Sequence, residues 1–108
     1  MTETEFLTLA NASLQAIETA LEKCIDELDT ECTRSGNVLE IELIDNASKI
    51  IVNLQTAMQQ VWVAARAGGY HFTYDGQVWR DTRDQSELFS TLSNLISGQA
   101  GVKVDLAA

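Results

Sequence analysis

Carboxylates that recur between residues 18 and 31 are the side chains of this sequence most suited to chemistry. Glu18 and Glu22 stand four residues apart on a predicted helix, where like charges repel mildly. The full set comprises Glu18, Glu22, Asp26, Glu27, Asp29 and Glu31. Two such charges about 6–8 Å apart repel by about 2–3 kcal/mol at an effective dielectric near 20, and a cation would relieve that cost. With oxygen ligands alone, a site here would be open, weak and exchangeable and would suit a hard cation. From the pattern alone, a solvated acidic face is the default interpretation.

Catalytic motifs do not accompany these acids. The sequence has no nucleophile elbow, no phosphate-binding loop and no metalloprotease helix motif. His71 is the only histidine, and a single imidazole on a strand is more often a surface residue than a general base. Cys24 and Cys32, without a second pair, make a poor zinc site and are expected to be reduced thiols. We therefore expect a protein that is not an enzyme.

Composition and charge narrow the class further. A chain of 108 residues is expected to form one domain. Sixteen acids against seven bases give a net charge of −9, which argues against nucleic acid and favours cations or a basic protein partner. No apolar run is long enough for a membrane span. The acidic N-terminus resembles neither a secretory signal nor a transit peptide, so we expect a cytoplasmic protein.

Two helices and a set of strands would position these side chains. Thr2 and Glu5 form a predicted capping box, and apolar residues at helical spacing extend the first helix over about 3–24. Asp84 resembles the N-cap of a second helix over about 85–97, which Gly98 would end. The residues from Gly101 onward are expected to form a short, loosely attached tail.

Between the helices, the pattern predicts five or six antiparallel strands over about 29–80. Alternation in residues 38–43 directs Glu40 and Glu42 away from the core. Trp62 alternates with Val61 and Val63, and the pattern leaves open whether it lies on an outer face or under a helix. The architecture is α+β, a two-layer sandwich with both helices on one sheet face. The other face would carry Glu40, Glu42, Asn53, Trp62 and His71.

Several segments resemble the bacterial frataxin family, the CyaY proteins. The shared residues are Val38-Leu39-Glu40-Ile41, Ser48-Lys49-Ile50-Ile51-Val52-Asn53, Gln55, Gln60-Val61-Trp62-Val63-Ala64, Gly68-Gly69-Tyr70-His71-Phe72, Trp79, Asp81-Thr82-Arg83 and Glu87-Leu88-Phe89, with Glu5-Phe6 and Leu9-Ala10 near the start. The match covers nearly the whole chain, and the block from 48 to 72 is the most specific part. The resemblance implies the frataxin-like sandwich.

The resemblance also implies a function. Members of that family bind iron weakly and dock on the cysteine desulfurase of the iron–sulfur cluster machinery. By that resemblance, the six acids would hold exchangeable iron, as Fe²⁺ or Fe³⁺, and meet a basic patch on the desulfurase. Asn53, Gln55 and Trp62 match positions that contact the assembly complex, and Glu40, Glu42 and His71 are expected on the same partner surface. No organic cofactor is implied, and a monomer is expected without metal.

Some positions depart from the family pattern. Thr19, Lys23 and Ile25 stand where relatives often carry acids, so the acidic set is smaller here and Lys23 would repel a cation. Ala57 replaces a usual proline, and residues 46–47 replace a glycine turn. Residues 85–86 differ from the usual approach to the last helix. These differences concern the metal affinity more than the fold.

Three functional hypotheses follow. The first is an iron-responsive regulator of iron–sulfur cluster assembly that acts on the desulfurase and its scaffold complex. The second is an iron-storage or ferroxidase protein that oligomerises with metal. The third is an acidic adaptor whose carboxylates bind a basic protein without metal.

Overall fold

The computed structural model describes residues 1–24 and 26–107, which form two helices and one six-stranded sheet. In chain order the elements are α1 (Glu3–Glu22), β1 (Thr30–Ser35), β2 (Val38–Leu43), β3 (Ser48–Gln55), β4 (Gln60–Ala65), β5 (Gly68–Tyr74), β6 (Trp79–Asp81) and α2 (Leu88–Ala100). Single 3₁₀ turns, Ile44–Asn46 and Thr56–Met58, connect β2 to β3 and β3 to β4. This confirms the predicted α+β sandwich and settles the strand number at six.

The first helix starts at the predicted capping box. The Thr2 hydroxyl accepts the Glu5 backbone N–H at 3.1 Å, and the Glu5 carboxylate accepts the Thr2 N–H at 3.0 Å. These hydrogen bonds to Thr2 lower the pKa of Glu5. The helix ends at Glu22, two residues before the predicted end. One face is buried, and its residues are Phe6, Ala10, Leu14, Ile17, Ala20 and Leu21.

The sheet is a plain antiparallel meander in which each strand pairs with the next along the chain. In β2, β3 and β4 the buried residues alternate with exposed or half-buried ones, as the alternation in the sequence predicts. The inward side chains from these strands pack against the two helices and form the core with Phe72 and Trp79. Trp79 also donates its indole N–H to the Ser13 hydroxyl of α1 at 2.9 Å. The opposite face of the sheet is therefore free of helices in the described part of the chain.

The predicted bounds of the second helix are wrong by three residues at each end. Asp84 accepts the Ser86 N–H and makes a turn, and Gln85 takes a left-handed φ of 67° that cannot continue a helix. Glu87 is the N-cap, since its carboxylate accepts the N–H groups of Phe89 and Ser90. Gly98 lies inside the helix. The helix ends instead at Gly101, where φ is 76° and glycine is favoured.

The expectation of a loosely attached tail is also wrong. Val104 and Leu106 are buried against the helices, at 5% and 7% exposure. Ser97 Oγ accepts the Val104 N–H at 2.9 Å, and Ser93 Oγ accepts the Leu106 N–H at 2.8 Å. Alternating apolar residues and two helix hydroxyls hold the segment onto the core. Within residues 1–24 and 26–107, no helix combines the length and apolar character needed to cross a membrane.

Candidate functional site

An acidic cleft lies between the end of α1 and the edge strand β1. Glu18 and Glu22 reach it from successive turns of the helix, and Glu31 reaches it from the strand. The cleft has a volume of about 320 Å³, and its other walls are Leu21, Thr30 and Cys32. The described ion pairs of the chain join Lys49 to Glu40, Arg80 to Asp75 and Arg83 to Asp81, so none includes these three acids. The cleft therefore concentrates negative charge without internal compensation.

The other predicted metal residues lie outside this cleft. Asp26 and Asp29 are exposed in the connection between α1 and β1. Glu27 lines a separate cleft of about 330 Å³ together with Lys23, Cys24, Lys103 and Asp105. Lys23 thus shares a cleft with Glu27, and it does not line the one that holds Glu18 and Glu22. Ile25, a departure that the sequence flagged, lies outside the described residues. The structure brings together three of the six predicted acids.

The donor set fits only a loosely held cation. Within residues 1–24 and 26–107, no group of three or more His, Cys, Asp or Glu side chains is close enough to hold a metal ion. Carboxylates at the cleft rim suit a hard cation that keeps much of its water. Assignment of the six acids as metal ligands stays a prediction.

Cys32 contributes a protonated thiol to the cleft. Burial, and to a smaller extent the nearby charges of Glu18 and Glu22, raise its pKa from 9.0 to about 11. Burial, Glu27 and Asp105 also raise the pKa of Cys24. Both cysteines are free thiols. Because a thiolate is the metal ligand and the nucleophile, neither thiol is activated at neutral pH.

A second surface lies on the outer face of the sheet, where all six residues of the predicted partner surface sit. Glu40 and Glu42 are half-buried on β2 and point away from the helices. Glu42 is the cross-strand partner of Glu31, so the acidic cleft continues around the sheet edge onto this face. Lys49 Nζ lies 3.5 Å from Glu40 Oε2 and partly offsets that charge.

At the centre of this face, aromatic and amide side chains form a row. Asn53, Trp62 and His71 are cross-strand partners on β3, β4 and β5. The rings of Trp62 and His71 are stacked, with centroids 4.1 Å apart and an interplanar angle of 6°. Trp62 Nε1 donates to Gln60 Oε1 at 2.7 Å, and Gln55 Nε2 donates to Asn53 Oδ1 at 3.3 Å. Trp62, whose side the sequence pattern left open, thus lies on the outer face and not under a helix, and its neighbours half-bury it.

This row is held in one arrangement by its own contacts. The stack borders a recess of about 200 Å³ whose lining includes Ile51 and Ala64. A large aromatic side chain held in one orientation is common in protein-binding surfaces, and the assignment of this row as a partner surface stays a prediction. Sequence reasoning did not single out Ile51, Ala64 or Gln60, although their even spacing from Asn53 and Trp62 places them on the same face.

Arg83, which sequence reasoning did not single out as a site residue, lies beside strand β5. Arg83 Nη2 donates to the Gly69 carbonyl at 2.7 Å, and its guanidinium lies 5.3 Å from the centre of the Tyr70 ring. The buried carboxylate of Asp81 accepts the Arg83 backbone N–H at 2.7 Å. Tyr70 is the cross-strand partner of the buried Val63, so its ring belongs to the helix-facing side of the sheet. The outer face therefore runs from acidic at β1 and β2 to neutral and aromatic at β3 to β5.

Comparisons with known proteins agree with this architecture. Residues 1–102 match the family described as Frataxin-like domain. The chain is 57% identical to the iron-sulfur cluster assembly protein CyaY of Herminiimonas arsenicoxydans, over 98% of this chain and 96% of that relative. It is 58% identical to the protein of the same name from Janthinobacterium sp. (strain Marseille), with the same coverage. The solved frataxin structure from Psychromonas ingrahamii superposes with a TM-score of 0.90 at 32% identity, covering 100% of both chains.

Proposed function

The protein belongs to the frataxin-like family, and from that premise we propose that it regulates iron–sulfur cluster assembly by docking on a cysteine desulfurase and its scaffold complex. The relatives above carry the name iron-sulfur cluster assembly protein. The observation that carries the proposal is the continuity of two surfaces: the cleft of Glu18, Glu22 and Glu31 passes through Glu42 onto the face of Trp62. One partner assembly can cover both, and the protein needs no turnover of its own.

The acidic cleft supplies long-range attraction. Unpaired carboxylates on a chain of net charge −9 create a field that draws a basic patch and accelerates encounter. Such attraction extends over about 8 Å at physiological salt and is weakened by added salt. Glu18, Glu22 and Glu31 are the residues that face the basic surface of the desulfurase in this proposal.

The sheet face supplies short-range specificity. Trp62 is fixed by its stack on His71 and by the hydrogen bond to Gln60, so little side-chain freedom is lost on binding. Asn53 and Gln55 offer amide groups beside it for hydrogen bonds to the scaffold. Glu40 and Glu42 lie where the two surfaces meet.

Iron, as Fe²⁺ or Fe³⁺, binds the same acids weakly and exchangeably in this proposal. Neutralising Glu18 and Glu22 relieves repulsion within the cleft, which is the free energy available to a cation there. A cation and a basic partner compensate the same charges, so binding of one alters the affinity for the other by an equal factor. This coupling would make the protein an iron sensor in the cytoplasm, the compartment that its reduced thiols suit.

A titration with cysteine desulfurase tests the proposal. At low salt we expect a complex by gel filtration and a changed rate of sulfide production. Unchanged sulfide production together with no complex would contradict the docking role.

A second candidate, the metal-independent acidic adaptor, has one observation in its favour: the described residues contain no group of side chains set for chelation. Chelator discriminates between the two. Docking that persists unchanged in chelator, and does not respond to added iron, would favour the adaptor, whereas docking that shifts with iron favours the sensor.

A further inference from the structure

One side of the acidic cleft is formed by an edge strand, whose outer backbone groups have no partner strand among the described residues. Strand β1 is the first strand of the sheet and pairs only with β2 among the described residues. Its six residues contain no proline and keep an uninterrupted register. Proteins usually protect such an edge with proline, a bulge or a covering element. Here the edge opens into the cleft that α1 overhangs.

Hydrogen-bond alternation identifies which backbone groups are free. The Ile44 N–H donates to the Asp29 carbonyl, so that pair is of the hydrogen-bonded type. Pairs of this type alternate along an antiparallel ladder, which assigns the same type to Glu31 and Thr33. Thr30, Cys32 and Arg34 therefore direct their N–H and C=O groups away from β2, toward the open edge.

Carboxylates flank this edge on both sides. Glu18 and Glu22 stand over it from the helix layer, and Glu31 lies on the outer face. Residues four apart on a helix rise by about 6.0 Å, and residues two apart on a strand rise by about 6.8 Å. A strand laid against β1 would thus bring alternate side chains to Glu18 and Glu22 nearly in register.

The usable part of the edge is short. The Arg34 guanidinium donates to Asn11 Oδ1 of α1 and to the Gly36 carbonyl, which closes the end of the edge near the β1–β2 turn. Its positive charge would also repel a basic segment there. The open part is residues 30–33, where Cys32 carries the central outward N–H.

We infer that the β1 edge takes an extended basic polypeptide segment of the partner as an added strand. The backbone of the segment pairs with Thr30 and Cys32, and lysine or arginine at every second position meets Glu18 and Glu22. The inference deepens the proposed docking function, on which it rests for the claim that the cleft meets a protein. A second copy of this chain fits poorly, because its own Glu18, Glu22 and Glu31 would add negative charge at the same edge.

The test uses a short blocked peptide with lysine at every second position and threonine or valine between. The matched control has the same sequence, with N-methyl groups on the amides that face β1. By ¹⁵N NMR we expect the Thr30 and Cys32 amides to gain protection from exchange on peptide binding. Glu31 and Thr33, already paired to β2, should not change. The N-methylated peptide should bind about tenfold more weakly, the loss expected from one or two hydrogen bonds. Equal binding of both peptides, or no gain in protection, would overturn the inference.

Two variants at Cys32 test the same inference with the whole desulfurase in place of a peptide. Cys32→Pro removes the central outward N–H and is tolerated on an edge strand, whereas Cys32→Val keeps that N–H. We expect Cys32→Pro to bind desulfurase about tenfold more weakly than Cys32→Val. Equal desulfurase binding by the two would overturn the edge inference while docking stands. Failure of the wild-type protein to bind desulfurase would overturn the proposed function instead, and the peptides would then decide the edge alone.

Discussion

The acidic cleft and the aromatic sheet face adjoin each other, yet they are built in opposite ways. The acidic cleft is lined by Glu18, Glu22 and Glu31, none of which forms one of the described ion pairs. On the sheet face, Trp62 is stacked on one side and hydrogen-bonded on the other. The first surface carries uncompensated charge, and the second is fixed by its own contacts.

This difference assigns different tasks to the two surfaces. Charge repulsion in the cleft costs stability, and a partner or cation recovers that cost on binding. A preorganised aromatic row costs little to keep and loses little freedom on contact. The cleft should therefore govern association rate and salt dependence, while the sheet face should govern the lifetime of the complex.

The largest expected effect is a loss of folding stability at a residue that lies on neither surface. Leu106→Ala should lower the free energy of unfolding by about 2–3 kcal/mol, because it removes a buried side chain of the tail. Desulfurase affinity measured well below the melting temperature should not change, since Leu106 lines neither surface. Urea denaturation measures the loss, and Ala107→Gly on the exposed side of the same tail is the control. A parallel loss of affinity would show that the tail shapes the cleft.

Next in size is the removal of the aromatic anchor. Trp62→Ala should weaken binding to the desulfurase–scaffold complex by about 2 kcal/mol, mainly through faster dissociation. Unfolding stability should fall less, because Trp62 is outside the helix-covered core. Surface plasmon resonance separates the two rates, with Thr73→Ala on the same face as a control. Slower association at unchanged dissociation would contradict this division of tasks.

Removing negative charge from the acidic cleft should raise folding stability but slow association with the desulfurase. Glu18→Gln with Glu22→Gln should raise the free energy of unfolding by about 0.5–1 kcal/mol, because like charges no longer repel. The same change should slow association with desulfurase about tenfold at low salt. Asp26→Asn with Glu27→Gln changes the net charge equally, from −9 to −7, and lies outside the cleft. Identical behaviour of the two doubles would reduce the cleft to overall charge.

The smallest expected effect is on the titration of the Cys32 thiol, which lines the acidic cleft. Its pKa is about 11 in the folded protein against 9.0 for an ordinary thiol, so the folded state holds this proton more tightly. The contribution to stability is complete below pH 9 and is lost as pH rises toward 11. Cys32→Ala should flatten that part of the stability profile. With Cys32 retained, the Glu18→Gln, Glu22→Gln double should speed alkylation of Cys32 at pH 8. A rate equal to that of the wild-type protein would show that burial alone protects the thiol.

Local chemistry made most of the fold predictable. Alternation along β2 and β3 and the capping box at Thr2 each have one favourable structural solution. The second helix was misplaced because Asp84 and Gly98 carry signals that tertiary contacts override. Glu87 provides the stronger cap, and Gly98 has open space on the helix surface, where it costs little. The tail was misread because its partners, Ser93 and Ser97, are hydroxyls that no sequence pattern links to it.

The sequence predicted which strand residues share a face better than it predicted how the acids are arranged. Parity along the strands predicted Glu40 on the outer face, where the structure has it, whereas the pattern left the side of Trp62 open. The separation of Asp26, Glu27 and Asp29 from the acidic cleft depends on the path of the chain between α1 and β1, which spacing alone does not encode. Stacking of Trp62 on His71 depends on the register of β4 with β5.

Docking through both surfaces is tested most directly by the salt dependence of desulfurase affinity for three proteins: wild type, Trp62→Ala and the Glu18→Gln, Glu22→Gln double. We expect the acid double to show a shallower dependence on salt and to approach wild type at high salt. Trp62→Ala should be weaker at every salt concentration, with the wild-type slope. Equal slopes for all three proteins, or no binding by the wild type at low salt, would contradict docking through a charged cleft and an aromatic face.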